Sequence, residues 1–463
     1  MEKFDIAIIG SGSAGYVAAI RAADLGKKVA IIEHREIGGT CLNRGCIPTK
    51  ALLRSAEVYT LEKESETFGV KAIDISFDTD AIQKRKQAVV DRLVSGVNFL
   101  LKARKVVIKK GSGKLLDEHT IEIKNGENTE RISAKDIIIA TGSEPAMIPA
   151  FKIDRKNVLT SDEALNLTEF PKDILIVGAG AIGIEFGTFL STFGTKVTIV
   201  EMMPQVVPTL KDKKLANIIE RMLKKKGIDV KTGTKIENID IKGDGKVVST
   251  LSNGEAIQTE KVLVSIGRKL NSTGIGLEEL GIKTERGRIL VNEELKTNIP
   301  NIYAIGDVVG GLLLAHKAQR EGIVAAEVIA DKGTKMDYRV VPWAIFSSPE
   351  IASVGLTEEE AKDKGIEVVT GEFPFTANGK AIAMNEMDGE EKIVARKDTK
   401  EIIGAQIIGP EASIMIAELA LALEKHLSLR DIANTIHTHP TLPEVTMEAA
   451  KDGLGEVIHI VRR

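Results

Sequence analysis

The sequence predicts an α/β protein in which one β–α–β unit is inserted in another and an α+β region closes the chain. Three observations carry the prediction. A glycine-rich strand–turn–helix–strand pattern occurs twice, each copy is closed by a further strand and glycine turn, and both patterns stop after Val340. At 463 residues the chain is too long for one core, and roughly three domains are expected.

The first unit is "FDIAIIGSGSAGYVAAIRAADLGKKVAIIE" (4–33). A continuous β-branched strand runs into Gly10-x-Gly12-x-x-Gly15, a helix follows to Gly26, and a second strand ends in Glu33. The second unit, "KDILIVGAGAIGIEFGTFLSTFGTKVTIVE" (172–201), repeats this with Gly178, Gly180, Gly183 and Glu201. Twenty-three residues separate the first glycine from the terminal acid in both copies. A lone glycine triplet is a weak signal. Set between strand and helix and followed by an acid at a strand tip, it is the fingerprint of a Rossmann-like dinucleotide-binding domain. The glycines bring backbone close to a pyrophosphate on the helix N-terminus, and the acid accepts ribose hydroxyls. Two dinucleotides are therefore expected. Met-Met-Pro-Gln follows Glu201, with no arginine for a 2′-phosphate, which favours NAD over NADP at the second site.

Closing strands follow in "IIIATGS" (137–143) and "VLVSIGR" (262–268), so the second unit lies within the first. "TNIPNIYAIGD" (297–307) returns the chain to the first domain and delivers Asp307 to a turn, where an acid can bind the polyol of a flavin dinucleotide.

Hydrophobic residues make up 43% and charged residues 28%, the balance of a globular protein. The net charge of -3 argues against a general nucleic-acid binder. No apolar run approaches the roughly 18 residues of a membrane span, and the immediate first strand leaves no room for a signal peptide. The two cysteines are too few for a secreted disulfide framework, so a cytoplasmic location is expected. They also lack the further ligands and spacing of a zinc site, and no metal is expected.

Both cysteines, Cys41 and Cys46, fall in "GGTCLNRGCIPTK" (38–50). They are either two packed thiols or a dithiol that opens and closes in catalysis. In an ideal helix residues five apart lie about 8.5 Å apart, beyond the roughly 7 Å limit for a disulfide. A bridge therefore needs distorted backbone, which Gly45 and Pro48 can supply. A dithiol also needs a base. "HTHPTLPE" offers His439 with Glu444 five residues on, while Thr441 and Glu444 also read as a capping box for the helix that follows. His437 reads as a structural neighbour. Glu185 lies in an apolar helix, where a carboxylate without a partner would be costly.

Two Rossmann units, the CxxxxC pair, "YAIGD" and "HTHPTLPE" together resemble the pyridine nucleotide-disulfide oxidoreductase family, in the family's order and over essentially the whole chain. "LLLAHKAQREG" (312–322) and "SSPEIASVGLTEEEA" (347–361) are closest to members that oxidise the dihydrolipoyl groups of 2-oxo acid dehydrogenase and glycine-cleavage complexes. Two departures, Leu270 for a usual proline and Phe346-Ser347 for a usual Tyr-Thr, touch no reacting group.

The resemblance implies an FAD-binding domain at 1–146 and 272–340, an NAD-binding domain at 147–271 and a dimerisation domain at 341–463. It implies that the cofactor sites also include Gly39, Thr40, Lys50, Gly113, Thr141, Gly142, Ile182, Gly267 and Ala315, and that Lys50 pairs with Glu185 beside the flavin. Cys41 would exchange with a dithiol substrate, Cys46 would face the flavin, and His439 with Glu444 would act on the other subunit of a homodimer. The implied partner is a lipoyl-bearing domain or free lipoamide. Two alternatives remain open: an NADH-dependent reductase of another small disulfide, and a non-catalytic flavin-binding subunit.

Overall fold

The computed structural model describes residues 1–461. It divides into two compact units, the first made of residues 1–52, 78–147 and 267–337, the second of residues 53–77, 148–266 and 338 onward.

In the first unit, strand β1 (Glu2–Ile9) lies between β2 (Val29–Glu33) and the long strand Asn128–Ile139, with every pairing parallel. Val107–Lys110 extends the sheet beyond β2, and Ile302–Ala304 pairs with the far side of Asn128–Ile139. Helices cross between parallel strands and cover the sheet, so β1 and β2 read as unbroken apolar runs and not as alternation. Ile6, Ile8 and Ile31 are fully buried under helix α1 (Ser13–Asp24) and helix Ala315–Ile329. Each contributes about 1.5–3 kcal/mol. Ala14, Ala18 and Ala22 keep the two helices close. The opposite face buries Ala7, Ile9 and Ile32 against Leu115, Ile121 and Ile123 of an antiparallel extension.

The second unit repeats the wiring. Asp173–Val177 lies between Lys196–Val200 and Lys261–Val264, all parallel, with Asp229–Lys231 and Val158–Leu159 outside. An antiparallel sheet of Ile236–Ile241, Val247–Leu251 and Ala256–Thr259 packs through Ile239, Val247 and Leu251 onto Leu175, Val177 and Val200. From Trp343 the chain forms a separate antiparallel sheet, in the order Trp343–Ile345, Glu350–Gly355, Ile402–Gly409, Glu390–Arg396, Val368–Pro374. Helices Ala412–Glu424 and Glu444–Leu454 bury Leu419, Leu423, Val445 and Ala449 with the residues of that sheet. This is the α+β region that the end of the glycine patterns anticipates. Within the unit, buried Lys392 donates to Asp212 (2.9 Å) and Glu358 (2.8 Å). Asp212 also caps helix Lys213–Lys225 by accepting from Leu215 N–H.

Candidate active site

The first unit builds its site where β1 gives way to α1. Gly10 stands at φ +104°, and the Glu33 carboxylate, buried at the tip of β2, folds back over the turn. Its Oε2 accepts from Ser11 N–H (2.9 Å) and the Ser11 hydroxyl (2.7 Å), and its Oε1 from Arg35 N–H (2.8 Å). Glu201 does the same in the second unit, accepting from Ala179 N–H and Met203 N–H, both at 2.8 Å. Each acid therefore braces its own glycine turn while standing at the place where a ribose would meet it. Helices α1 and Ala181–Thr192 start without a side-chain cap, and a side chain at Gly12 or Gly180 would meet no protein atom within 4 Å. Open backbone donors at both turns fit a dinucleotide pyrophosphate.

The cysteine loop is fastened to the first turn. Gly38 N–H donates to Ser11 carbonyl, and a Cβ at Gly39, where φ is +61°, would lie 2.5 Å from Gly12 Cα. Helix α2 (Gly39–Arg44) can begin there only as glycine. It ends at Gly45, with φ −145° and ψ −112°, and α3 (Cys46–Lys63) starts at the next residue. The expected break in the helix falls between the cysteines. Pro48 sits in the first turn of α3, where no N–H is missed. Both cysteines carry thiols and are partly buried. The Cys41 thiol is pushed well above its ordinary range, first by its hydrogen bond with Cys46 and then by burial, with Ser13 opposing.

Other expected flavin-site residues gather in the same unit. Thr141 Oγ1 donates to Asn271 carbonyl (2.6 Å), and Gly142 carbonyl accepts from Asn271 N–H. Ala146 N–H donates to Gly267 carbonyl (3.0 Å). Gly113 lies against Ile9. Asp307, in the short 3-10 turn Gly306–Val309, accepts from the Ser143 hydroxyl, which itself accepts from Arg268 Nε (2.7 Å). A buried ion pair holds that turn at both ends. Glu321 accepts from Gly306 N–H (2.7 Å), Lys317 Nζ donates to Gly310 carbonyl (3.0 Å), and the two charges lie 3.1 Å apart on the helix that starts at Ala315. Thr40 and Lys50 lie on α2 and α3, partly buried.

In the second unit, Gly178 stands at φ +105° and Gly183 packs on its carbonyl, as Gly15 does on that of Gly10, with Ile182 between. Glu185 is buried and accepts from Phe346 N–H (3.0 Å), so it is no surface charge. Lys50 and Glu185 belong to different units.

His439 is exposed, and its Nδ1 lies 2.8 Å from Glu444 Oε1. Glu444 Oε2 accepts from Thr441 N–H (2.8 Å). Burial alone would raise the Glu444 carboxyl, but that N–H and His439 hold it below the usual range. The expected capping box is half formed, because the Thr441 hydroxyl turns to Thr438 carbonyl and Pro443 occupies the cap position. Glu444 thus serves both, with Oε2 on Thr441 N–H and Oε1 on His439. The His439–Pro440 bond is cis, as is Ser348–Pro349.

Ser11, Ser13, Ser143, Arg268, Lys317, Glu321 and Glu418 were not anticipated from sequence. Only Ser11 leaves a signal there, since it aligns with Ala179 between the first two glycines of each repeat. Among the described residues no cluster suits a metal ion, and no helix is long and apolar enough to cross a membrane.

Comparison with known proteins places these features in context. The family profile described as pyridine nucleotide-disulphide oxidoreductase matches residues 4–322, and that of its dimerisation domain matches 341–450. The chain is 48% identical over 459 residues to dihydrolipoyl dehydrogenase of Geobacillus stearothermophilus, covering 98% of this chain and 97% of that one. It is 47% identical over 471 residues to dihydrolipoyl dehydrogenase of Bacillus subtilis (strain 168), covering 99% of each. Among solved structures, LpdA from Mycobacterium tuberculosis superposes with a TM-score of 0.90 at 26% identity, covering 97% of this chain and 99% of that one.

Proposed function

The chain belongs to the pyridine nucleotide-disulphide oxidoreductases, and from that membership we propose the roles of its individual residues. It is a flavoprotein disulfide oxidoreductase that uses FAD and NAD and oxidises dihydrolipoamide to lipoamide. One observation carries this reading: a cysteine pair at a helix break, pressed onto the first dinucleotide turn, in a chain 48% identical over nearly its full length to a dihydrolipoyl dehydrogenase.

Residues 1–146 and 272–340 hold FAD through Gly10, Gly12, Gly15, Glu33 and Asp307. Residues 147–271 hold NAD through Gly178, Gly180, Gly183 and Glu201, and residues 341–463 form the interface of a homodimer. Met202 and Met203, where a 2′-phosphate would need a cation, favour NAD.

In the oxidised enzyme Cys41 and Cys46 share a disulfide. His439 Nε2 takes a proton from one thiol of dihydrolipoamide while Glu444 holds Nδ1–H. The thiolate attacks Cys41 Sγ, the Cys41–Cys46 bond breaks, and Cys46 leaves as a thiolate. The second substrate thiol then attacks the first substrate sulfur, its proton passing to the departing Cys41 Sγ, so that lipoamide is released and the pair holds two electrons as a Cys41 thiol and a Cys46 thiolate. FAD, held at the first turn, would accept the electron pair, and NAD, held at the second, would carry it away as hydride. Lys50 supplies a cation for the reduced flavin. The substrate is presented on a lipoyl domain of a 2-oxo acid dehydrogenase or glycine-cleavage complex, or free in solution, and the cytoplasm is the expected setting.

The test is anaerobic NAD reduction by dihydrolipoamide, with Cys41→Ser alongside. Rapid NADH formation that disappears in the variant is expected. No NADH from a protein with normally bound flavin would sink the lipoamide reading and favour another small disulfide as substrate.

A further inference from the structure

We propose that His437 is a positioning residue for dihydrolipoyl oxidation: paired with Glu418, it pins the loop from which His439 is presented. The inference rests on the lipoyl-oxidising reading above and adds a residue which that reading leaves idle.

His437 Nδ1 lies 2.9 Å from the Thr435 carbonyl oxygen, and its Nε2 lies 3.0 Å from Glu418 Oε1. Both partners are acceptors. A neutral imidazole has one N–H and satisfies one of them, whereas an imidazolium satisfies both. The His437 side chain is only 6% exposed, so bulk water is poorly placed to serve the second nitrogen. The geometry therefore describes a cation held between a carboxylate and its own loop.

The charges around the ring agree. Glu418 comes from helix Ala412–Glu424, Glu391 from strand Glu390–Arg396, and Glu444 from the start of helix Glu444–Leu454. Glu418 raises the proton affinity of His437 most, against burial. Glu391 is itself fully buried, accepts from the Thr446 hydroxyl (2.9 Å), and is pushed up to about 8 by desolvation. Near neutral pH it holds its proton, which leaves Glu418 as the charged partner.

The two histidines of His-Thr-His are thus divided by environment. His437 has both nitrogens committed. His439 has Nδ1 committed to Glu444, and its side chain is 79% exposed. The loop between helices Leu429–Asn434 and Glu444–Leu454 has no regular structure, and Ile436 near its start is 96% exposed. Its second half is tied by Glu444 and by Asn378, whose side chain donates to Thr441 carbonyl. Its first half is tied through His437 to Glu418. A base works only within hydrogen-bond reach of its proton, so freeing one half of the loop displaces Nε2.

The test uses the full-length holoenzyme with His437→Gln, Glu418→Gln and His437→Arg. Steady-state dihydrolipoamide oxidation is followed from about pH 6 to about pH 9. NADH oxidation by an artificial dye, which needs both cofactors but not His439, is measured in parallel. His437→Gln is expected to lower kcat for dihydrolipoamide about 10- to 100-fold, with KM and the dye reaction little changed. Glu418→Gln is expected to move the loss of activity at high pH to lower pH, because His437 then gives up its proton sooner. His437→Arg, which keeps the charge and two donors, is expected to recover part of kcat. Wild-type kcat and pH profile in His437→Gln would overturn the proposal, and so would equal loss of the dye reaction in a variant that folds and binds flavin normally. If His437→Gln does not fold, the pH shift in Glu418→Gln decides. If wild-type enzyme turns over dye but not dihydrolipoamide, the substrate reading fails and the positioning argument is not at fault.

Discussion

Cys41 and Cys46 differ although one helix break separates them. Cys41 keeps its proton because Cys46 and burial both favour the thiol. The proposed division, with Cys41 exchanging with substrate and Cys46 facing the flavin, rests on membership of the family. Cys41→Ser is expected to cut NAD reduction by dihydrolipoamide on the order of 10³-fold or more, while dye-linked NADH oxidation persists. Parallel stopped-flow assays of the two reactions check this. Glu391 offers a second residue-scale prediction. Its carboxyl is raised from the usual range to about 8, so between those values the folded protein holds a proton that the unfolded chain releases. Stability therefore falls as pH rises through that window. Glu391→Gln removes this dependence, and its melting temperature relative to wild type should climb from about pH 5 to about pH 8, by on the order of 2–4 kcal/mol in stability. A pH-independent difference would contradict the assignment.

At the scale of elements, the redox pair depends on two short helices meeting at a glycine and starting against a dinucleotide turn. Gly39→Ala forces a Cβ to 2.5 Å from Gly12 Cα at φ +61°. It should cost about 1–3 kcal/mol and loosen the flavin, measured as a lower melting temperature and faster flavin release on dilution. The Lys317–Glu321 pair is a second such device, since it closes both ends of the turn carrying Asp307. Lys317→Met leaves Glu321 a buried charge without its cation, and a weaker flavin complex is expected. Lys317→Met/Glu321→Gln, which removes both charges, should be milder than the single change.

For the whole molecule, the site as proposed is shared between two copies, and pairing of inactive variants tests it. Cys41→Ser and His439→Gln are each expected to be inactive as homodimers. Co-expressed, they should form mixed dimers with one intact site and recover about a quarter of wild-type activity, the share expected from random pairing across a two-fold axis. No recovery, with mixed dimers confirmed by mass, would place His439 and the cysteines of one site on the same chain.

How much of this was legible in the sequence depends on distance along the chain. The repeated glycine turns, the acids that close them, the cysteine pair and His439 with Glu444 all lie within about one supersecondary unit of their partners. Backbone sterics and strand–helix periodicity act over that range, so spacing placed the glycine turns and their acids, while the roles of the cysteine pair and His439 came from the family resemblance. The break at Gly45 was readable for the same reason. The role of Glu444 was only half readable, because a capping box and a base-orienting acid share one pattern. In the structure Glu444 makes both contacts, accepting from Thr441 N–H and lying 2.8 Å from His439 Nδ1. Arg268 on Ser143, Lys317 on Gly310 and Glu418 on His437 were not readable. Each depends on the register in which separate elements pack, and a charged side chain carries no mark of which distant group will face it. The sequence determined where the two glycine turns, the cysteine pair and the His439–Glu444 pair fall. Only the tertiary structure decided which buried charges hold them, because a charge removed from water must find its partner wherever the fold brings one.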